Sequence, residues 1–210
     1  MRERFERIYT AALADILDER GFRSQVLPPS IRPLEDGMRL AGPAYTVQGR
    51  PTDVVDWDGA IRKVLTMLGS VPAGHVAVYA CEHDVSAHLG ELSVTSLQTR
   101  GVAGCVLDGG VRDTRFIRDA GFPVFSRYVT PEDSTWRWGL TATQDPVTIG
   151  RVRIEPDDWV VADEDGVVVV PAGVAEDVLA EAEAKASTES SIRDLVRKGA
   201  TPLEAYERYG

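Results

Sequence analysis

One stretch constrains the fold more than any other: Gly101-Val-Ala-Gly-Cys-Val-Leu-Asp-Gly-Gly-Val-Arg-Asp-Thr. Its apolar run Ala103 to Leu107 reads as a buried strand. Asp108-Gly-Gly then supplies a turn that needs unusual backbone angles, and Thr114 to Ala120 reads as a helix beginning directly after it. The same alternation recurs on both sides. Gly59 to Leu68 is amphipathic at helical spacing, His75 to Ala80 is an apolar strand, Gly90 to Arg100 is helical and stops at Gly101, and Phe122 to Phe125 is another strand. Short helices alternating with buried strands predict an α/β fold with partly parallel pairing.

The ends of the chain differ from this middle. Arg2 to Arg20 predicts one helix with Phe5, Ile8, Ala12, Leu13, Ile16 and Leu17 on a face and Gly21 as its stop. Leu27-Pro-Pro-Ser-Ile-Arg-Pro runs over the surface, and Leu40 to Val47 is extended. Beyond Asp145, Val147 to Ile154 and Trp159 to Ala162 are strand-like, and Asp163-Glu-Asp-Gly turns the chain into Val167-Val-Val-Val to close a hairpin. A long Ala/Glu helix follows from Val174 to about Lys198, and Thr201-Pro-Leu-Glu has capping-box spacing. With 210 residues and no linker-like or repeated segment, the expectation is a single domain, 1–210, whose residues 172–210 form a helical C-terminal tail.

The formal charge of -10 is unevenly placed. Between Glu155 and Asp194 stand 12 acids and 2 bases, whereas acids and bases balance over the rest. A polyanion binder needs a basic stripe, and none is present, so nucleic acid is not an expected partner. No apolar run approaches the roughly 20 residues that cross a bilayer, and the charged N-terminus does not read as a secretory signal. Cys81 and Cys105 stand at strand-like runs and read as small buried thiols, which points to a reducing, cytoplasmic setting.

Candidate chemistry gathers at Arg112 and Asp113. They stand at a strand end before a helix, where α/β folds open a ligand crevice and free amides accumulate. Arg112 can pair with a substrate carboxylate through two N–H groups, and Asp113 can hold a hard cation that keeps most of its waters. The structural alternative is that Asp113 caps the helix while Arg112 pairs with a surface acid. A second loop, His88-Leu-Gly-Glu-Leu-Ser, also precedes a helix. Its Gly90 to Ser93 amides suit an anion, and Glu91 suits an acid or base.

Taken together, Gly90-Glu-Leu-Ser and Arg100-Gly-Val-Ala-Gly-Cys-Val-Leu-Asp-Gly-Gly-Val-Arg-Asp resemble the RraA-like family, which includes 4-hydroxy-4-methyl-2-oxoglutarate aldolases. Gly42-Pro-Ala-Tyr-Thr-Val, Gly121-Phe-Pro-Val-Phe, Val161-Ala-Asp-Glu-Asp-Gly-Val-Val-Val-Val-Pro and Pro202-Leu-Glu-Ala-Tyr-Glu-Arg-Tyr-Gly extend the resemblance over nearly the whole chain. It implies a three-layer β/β/α domain of the swivelling type, assembled as a homotrimer or hexamer with sites between subunits. It implies that Arg112 contacts the pyruvoyl part of a substrate and that Asp113 supports a divalent metal, Mg2+ or Mn2+. The Gly90, Glu91, Leu92 and Ser93 loop is implied to bind the substrate carboxylate, with Glu91 orienting a proton-shuttling water. Glu189 is the candidate acid that reaches a neighbouring subunit's site. Ser93 departs from the Leu common in aldolase loops. Cys81-Glu-His-Asp and Ser134-Thr-Trp-Arg-Trp-Gly depart too, and they are candidates for a distal substrate pocket.

The residues support this chemistry independently. Cleavage beside a 2-oxo acid leaves a pyruvate enolate, which a lysine Schiff base or a metal must stabilise. The chain's three lysines, Lys63, Lys185 and Lys198, all fall in predicted helices, which favours a metal. The expected function is therefore a metal-dependent lyase acting on a small 2-oxo acid, by aldol cleavage or oxaloacetate decarboxylation. A sugar-acid dehydratase or isomerase acting on a hydroxy acid, and a non-catalytic ribonuclease regulator, are the alternatives. A methyltransferase would need a glycine-rich nucleotide loop, and Asp108-Gly-Gly is too short for one. Cys81, His83 and His88 match no standard zinc spacing. Trp136 and Trp138 alternate as on a strand, one for the core and the other for a ligand or subunit.

Overall fold

The computed structural model describes residues 1–53 and 56–209. Gly210, which ends the last of the quoted motifs, lies outside them. Helices α1 (Arg2–Arg7) and α2 (Thr10–Glu19) open the chain, followed by β1 (Arg32–Pro33), β2 (Leu40–Pro51), α3 (Trp57–Ser70), β3 (Val76–Ala80) and β4 (Ala87–Leu89). Then come α4 (Glu91–Thr99), β5 (Gly104–Val111), α5 (Thr114–Ala120), β6 (Val124–Val129) and β7 (Trp138–Thr143). The C-terminal part comprises β8 (Val147–Ile149), β9 (Val152–Ile154), β10 (Trp159–Asp163), β11 (Gly166–Val170), α6 (Ala175–Arg197) and α7 (Pro202–Tyr209).

The main sheet runs β1-β6-β5-β3-β2-β10-β11, with β4 added to β5 and β7 to β2. The pairs β2–β3, β3–β5 and β5–β6 are parallel, as the helix-strand alternation predicts, whereas β10 joins β2 and β11 antiparallel. The sheet is nearly closed, because one strap bridges its ends. Val26 pairs with Val168 of β11, and Arg32 and Pro33 pair with Ser126 and Phe125 of β6.

Period-2 alternation divides each central strand between two cores. On β3, Ala77 and Tyr79 face α3, α4 and α5 together with Cys105 and Leu107 of β5. Val76, Val78 and Val106 face the other way, against Val147, Ile149, Val152 and Ile154 of the β8–β9 hairpin and the inner residues of β10 and β11. These are the β/β/α layers of the expected fold. A further helical layer covers the outside of β10 and β11, where Phe5, Leu13 and Leu17 meet Val161, Val168, Val178 and Leu179.

Three local expectations need correction. The single helix of residues 2–20 is two, since Ile8 is extended (φ -91°, ψ 135°) and turns Phe5 and Leu13 into one core from separate helices. Val147 to Ile154 is a two-strand hairpin reversed at Gly150, whose φ of 59° suits a glycine. Gly109 and Gly110 do not form a turn. They lie inside β5, and a Cβ on Gly109 would approach the Cys81 thiol and His88 Nδ1 to 2.7 Å. The backbone strain falls instead on Asp113, at φ 57° and ψ 31°. At the C-terminus the capping box is formed: Thr201 Oγ1 accepts from the Glu204 amide, and Glu204 accepts from the Thr201 amide. No helix among the described residues is long and apolar enough to cross a membrane.

Candidate active site

The site is built where β4 and β5 end side by side. Arg112 follows β5 directly, and its backbone N–H donates to the Leu89 carbonyl, which brings Gly90 and the start of α4 against it. Asp113 stands in the left-handed region at the N-terminus of α5 but makes no side-chain cap there. The capping half of the structural alternative does not hold for α5, whereas its other half does, since Arg112 pairs with the partly exposed Asp133. Asp113 Oδ2 instead accepts the Glu91 backbone N–H at 3.0 Å, at the N-terminus of the neighbouring helix α4. A left-handed non-glycine residue costs of order 1 kcal/mol, and such strain is typical of functional sites. Gly90 is required by this contact, since a Cβ there would come within 2.5 Å of Asp113 Oδ2 and 3.3 Å of Arg112 Cγ.

Arg112 is half-buried and spans two carboxylates, with Nε 3.7 Å from Asp113 Oδ2 and Nη1 3.2 Å from Asp133 Oδ2. Burial alone would push the Asp133 carboxyl up. The amide and hydroxyl of Thr135, together with the Arg112 guanidinium, hold it below the usual carboxylate range instead. Asp133 therefore stays ionised beside Arg112.

A cleft of about 220 Å³ opens over this end of the sheet, lined by Gly90, Leu92, Ser93, Arg112, Asp133 and Thr135 and by Ile61, Val64 and Leu65 of α3. His88 and Trp138 also line it. The His88 ring stands edge-on to Trp138 and to His83, with centroids 5.0 and 5.5 Å apart. Burial, and secondarily His83, lowers its pKa to about 4, so the ring is neutral at pH 7. The Gly110 backbone opposes this in part, yet neither ring nitrogen makes a hydrogen bond of normal geometry. Trp138 is buried and its indole N–H donates to the Cys81 carbonyl at 2.8 Å, whereas Trp136 is exposed and stacks on Trp57.

The residues singled out in sequence thus divide into groups. Gly90, Leu92, Ser93 and Arg112 line the cleft, while Glu91 and Asp113 stand exposed beside it, joined by the amide-carboxylate bond. Glu189 is not with them in this chain. It lies on α6 in the outer helical layer, where its carboxylate accepts the Tyr9 hydroxyl, and burial with this bond raises the tyrosine pKa to about 12. Asp133 and the α3 residues carry no local motif that would single them out, because each joins the site only through tertiary packing, and His88 opens the second loop without a role assigned to it there. No lysine lines the cleft: Lys63 borders an adjacent pocket, and Lys185 pairs with Asp15 and Glu19.

A resident metal can be tested against these groups. Among the described residues no three His, Cys, Asp or Glu side chains converge on a possible ion. A cage of protein ligands is therefore absent there. Asp113 Oδ1, by contrast, takes part in no hydrogen bond among the described residues, and its carboxylate is exposed beside the cleft, paired with Arg112. One free carboxylate oxygen fits a hard divalent cation that retains most of its waters.

The fold is that of a known group. Residues 10–169 match the family model "RraA-like: Aldolase/RraA", and the chain belongs to the RraA-like family. It is 32% identical over 203 residues, covering 96% of this chain and 91% of the other, to a Halalkalibacterium halodurans protein provisionally named 4-hydroxy-4-methyl-2-oxoglutarate aldolase. Among solved structures, an uncharacterized protein of Pseudomonas syringae pv. tomato aligns with a TM-score of 0.85 at 30% identity, covering 97% of this chain and 95% of that one. Streptomyces coelicolor RraAS2, described as an unusual member of the RNase ES inhibitor RraA family, aligns at 0.82 and 31% identity, covering 91% and 95%.

Proposed function

We propose that this protein is a divalent-metal-dependent carbon–carbon lyase acting on a 2-oxo acid through a pyruvate enolate, as a 4-hydroxy-4-methyl-2-oxoglutarate-type aldolase, an oxaloacetate decarboxylase, or both. The observation that supports this reading is the pairing of Arg112 in the cleft with Asp113, whose Oδ2 is held by the Glu91 amide. Mg2+ or Mn2+ at Asp113, when bound, would supply a Lewis acid for the developing enolate charge. Arg112 binds and orients the substrate carboxylate, and Asp133 fixes the guanidinium for that task. The α4 amides beyond Gly90, with Ser93 and Leu92, complete the carboxylate end. Glu91 orients the water that carries the proton. The absence of a lysine in the cleft argues against a Schiff-base route.

On the same reading the working assembly is a homotrimer or a pair of trimers, and Glu189 reaches a neighbour's site. Pyruvate release from oxaloacetate and from 4-hydroxy-4-methyl-2-oxoglutarate, with and without Mg2+ or Mn2+, tests the proposal. Asp113→Ala should abolish release, and unchanged activity in that variant would remove Asp113 from the mechanism.

A second reading has one specific support, the likeness to a protein described as belonging to the RNase ES inhibitor family. In it the chain binds a ribonuclease and dampens it without chemistry of its own. A ribonuclease assay with the purified chain, set beside the pyruvate assay, separates the two.

A further inference from the structure

Among the described residues, the buried side-chain nitrogens and oxygens that lack a hydrogen-bond partner are the two ring nitrogens of His88. That residue lines the cleft. The other polar side chains there are served differently. Arg112 and Thr135 both bind Asp133, and Ser93 and Ser134 are only half-buried. A ring nitrogen shut away from water without a partner is costly, since it gives up one hydrogen bond and gains none. The nearby Cys81 thiol gives no relief, because its contact is with the Tyr79 carbonyl at 3.9 Å. Gly109 leaves the ring its place, as a Cβ there would come within 2.7 Å of Nδ1 and 3.0 Å of Cε1. His88 is also close to Arg112 along the sheet. It lies on β4, which pairs with β5 through Leu89 and Val111, and Arg112 follows Val111 directly.

We propose that His88 binds the far carboxylate of a dicarboxylic 2-oxo acid whose first carboxylate lies at Arg112. This rests on the 2-oxo acid reading above and gives it a specificity-determining residue. As the ligand enters, the ring turns about its Cβ–Cγ bond and donates an N–H to a carboxylate oxygen. The ring is neutral at pH 7, so one nitrogen is a donor and the other an acceptor. Oxaloacetate and 4-hydroxy-4-methyl-2-oxoglutarate both carry a second carboxylate, whereas pyruvate does not. A neutral donor suits a group that must leave. In oxaloacetate the C3–C4 bond breaks, its electron pair passes to C3 as the enolate, and C4 departs as carbon dioxide. C3 then takes a proton to give pyruvate, with no oxidant or reductant needed. A cation in place of the imidazole would hold the departing charge more strongly and oppose its loss. The pyruvate left behind has nothing for His88 to bind, which favours its release.

The test is a calorimetric titration of the full chain with Mg2+ present, using malate and lactate, hydroxy-acid analogues with and without the second carboxylate. Malate should bind at least about tenfold more tightly than lactate. His88→Phe keeps an aromatic ring against Trp138 and removes both nitrogens. It should reduce the preference for malate by about tenfold and leave lactate binding unchanged. His88→Gln, which restores a donor, should recover part of the preference. In the unaltered chain, the NMR signals of isotope-labelled His88 ring nitrogens should move on adding malate and stay in place with lactate. Equal binding of the two acids, an unchanged preference in His88→Phe, ring signals indifferent to malate, or no binding of either acid overturns the inference. Pyruvate release from oxaloacetate is scored separately. A malate preference that depends on His88, without such release, would leave the inference standing and remove the lyase reading. Release alongside an unchanged preference in His88→Phe would do the reverse.

Discussion

The carboxylate of Asp113 serves a helix other than its own: it stands at the N-terminus of α5 and binds the Glu91 amide at the N-terminus of α4, 3.0 Å away. The left-handed backbone at Asp113 is what turns the side chain across the gap. Two helix starts thereby meet at one residue, whose backbone carbonyl accepts from Phe116 in α5 and whose carboxylate holds the start of α4.

Asp113→Asn separates the structural role from the chemical one. The amide oxygen can still accept from Glu91, and Asn tolerates the left-handed region, so the unfolding midpoint should stay within about 2 °C of the unaltered protein. Metal-stimulated pyruvate release should fall by about 100-fold or more, because the charge is lost. Equal loss of stability and activity would mean that Asp113 acts only as a brace.

Gly90→Ala should damage the site through contact alone. The backbone at Gly90 (φ -143°, ψ -172°) is open to any residue, so no conformational penalty intervenes. The added methyl must displace the Asp113 carboxylate or the Arg112 side chain. We expect a loss of about 1–2 kcal/mol in stability by overpacking and a larger proportional loss in kcat/KM. Chemical denaturation and steady-state kinetics on the same sample check both.

Arg112→Lys keeps the charge but cannot bridge Asp133 and a ligand carboxylate with a planar fork. KM for a 2-oxo acid should rise by about tenfold, with a smaller change in kcat. An unaltered KM would place the ligand carboxylate elsewhere.

His88 should make the protein acid-labile. Its folded pKa of about 4 lies below the ordinary histidine value, so between roughly pH 6.5 and 4 the unfolded chain binds the extra proton and stability falls as pH falls. The contribution present at pH 7 is at most about 3 kcal/mol. His88→Phe retains the ring packing on Trp138 and has no proton to take up. Its unfolding midpoint should decline less between pH 7 and pH 4.5 than that of the unaltered chain, measured by circular dichroism.

Much of this architecture is legible in the residues, for identifiable reasons. Val76 to Ala80 and Cys105 to Leu107 are buried on both faces, so their apolar runs announce parallel strands, and Val167 to Val170 beside Asp163-Glu-Asp-Gly announces a hairpin. Arg112 and Asp113 stand out because a strand end carries charge. The role of Asp133 was invisible, since it meets Arg112 from a loop 21 positions away. Gly109 and Gly110 misled for a related reason. Glycine marks either a turn or close packing, and only the placement of Cys81, His88 and Tyr128 around β5 decides between them. On acidic α6, Glu183 and Glu181 meet Arg4 and Arg20 of the N-terminal helical region, pairs that a charge count does not reveal.

The strap of residues 26–33 has a consequence for how copies of this protein can meet. By pairing with β11 at one end of the main strand path and with β6 at the other, it occupies both places where a foreign strand would most readily be added. Pro33, lacking an N–H, blunts the β6 end further. Association through those two borders is disfavoured from the start. At those two borders contact is left to side-chain surfaces, where recognition depends on shape and charge and not on the backbone pattern that all polypeptides share.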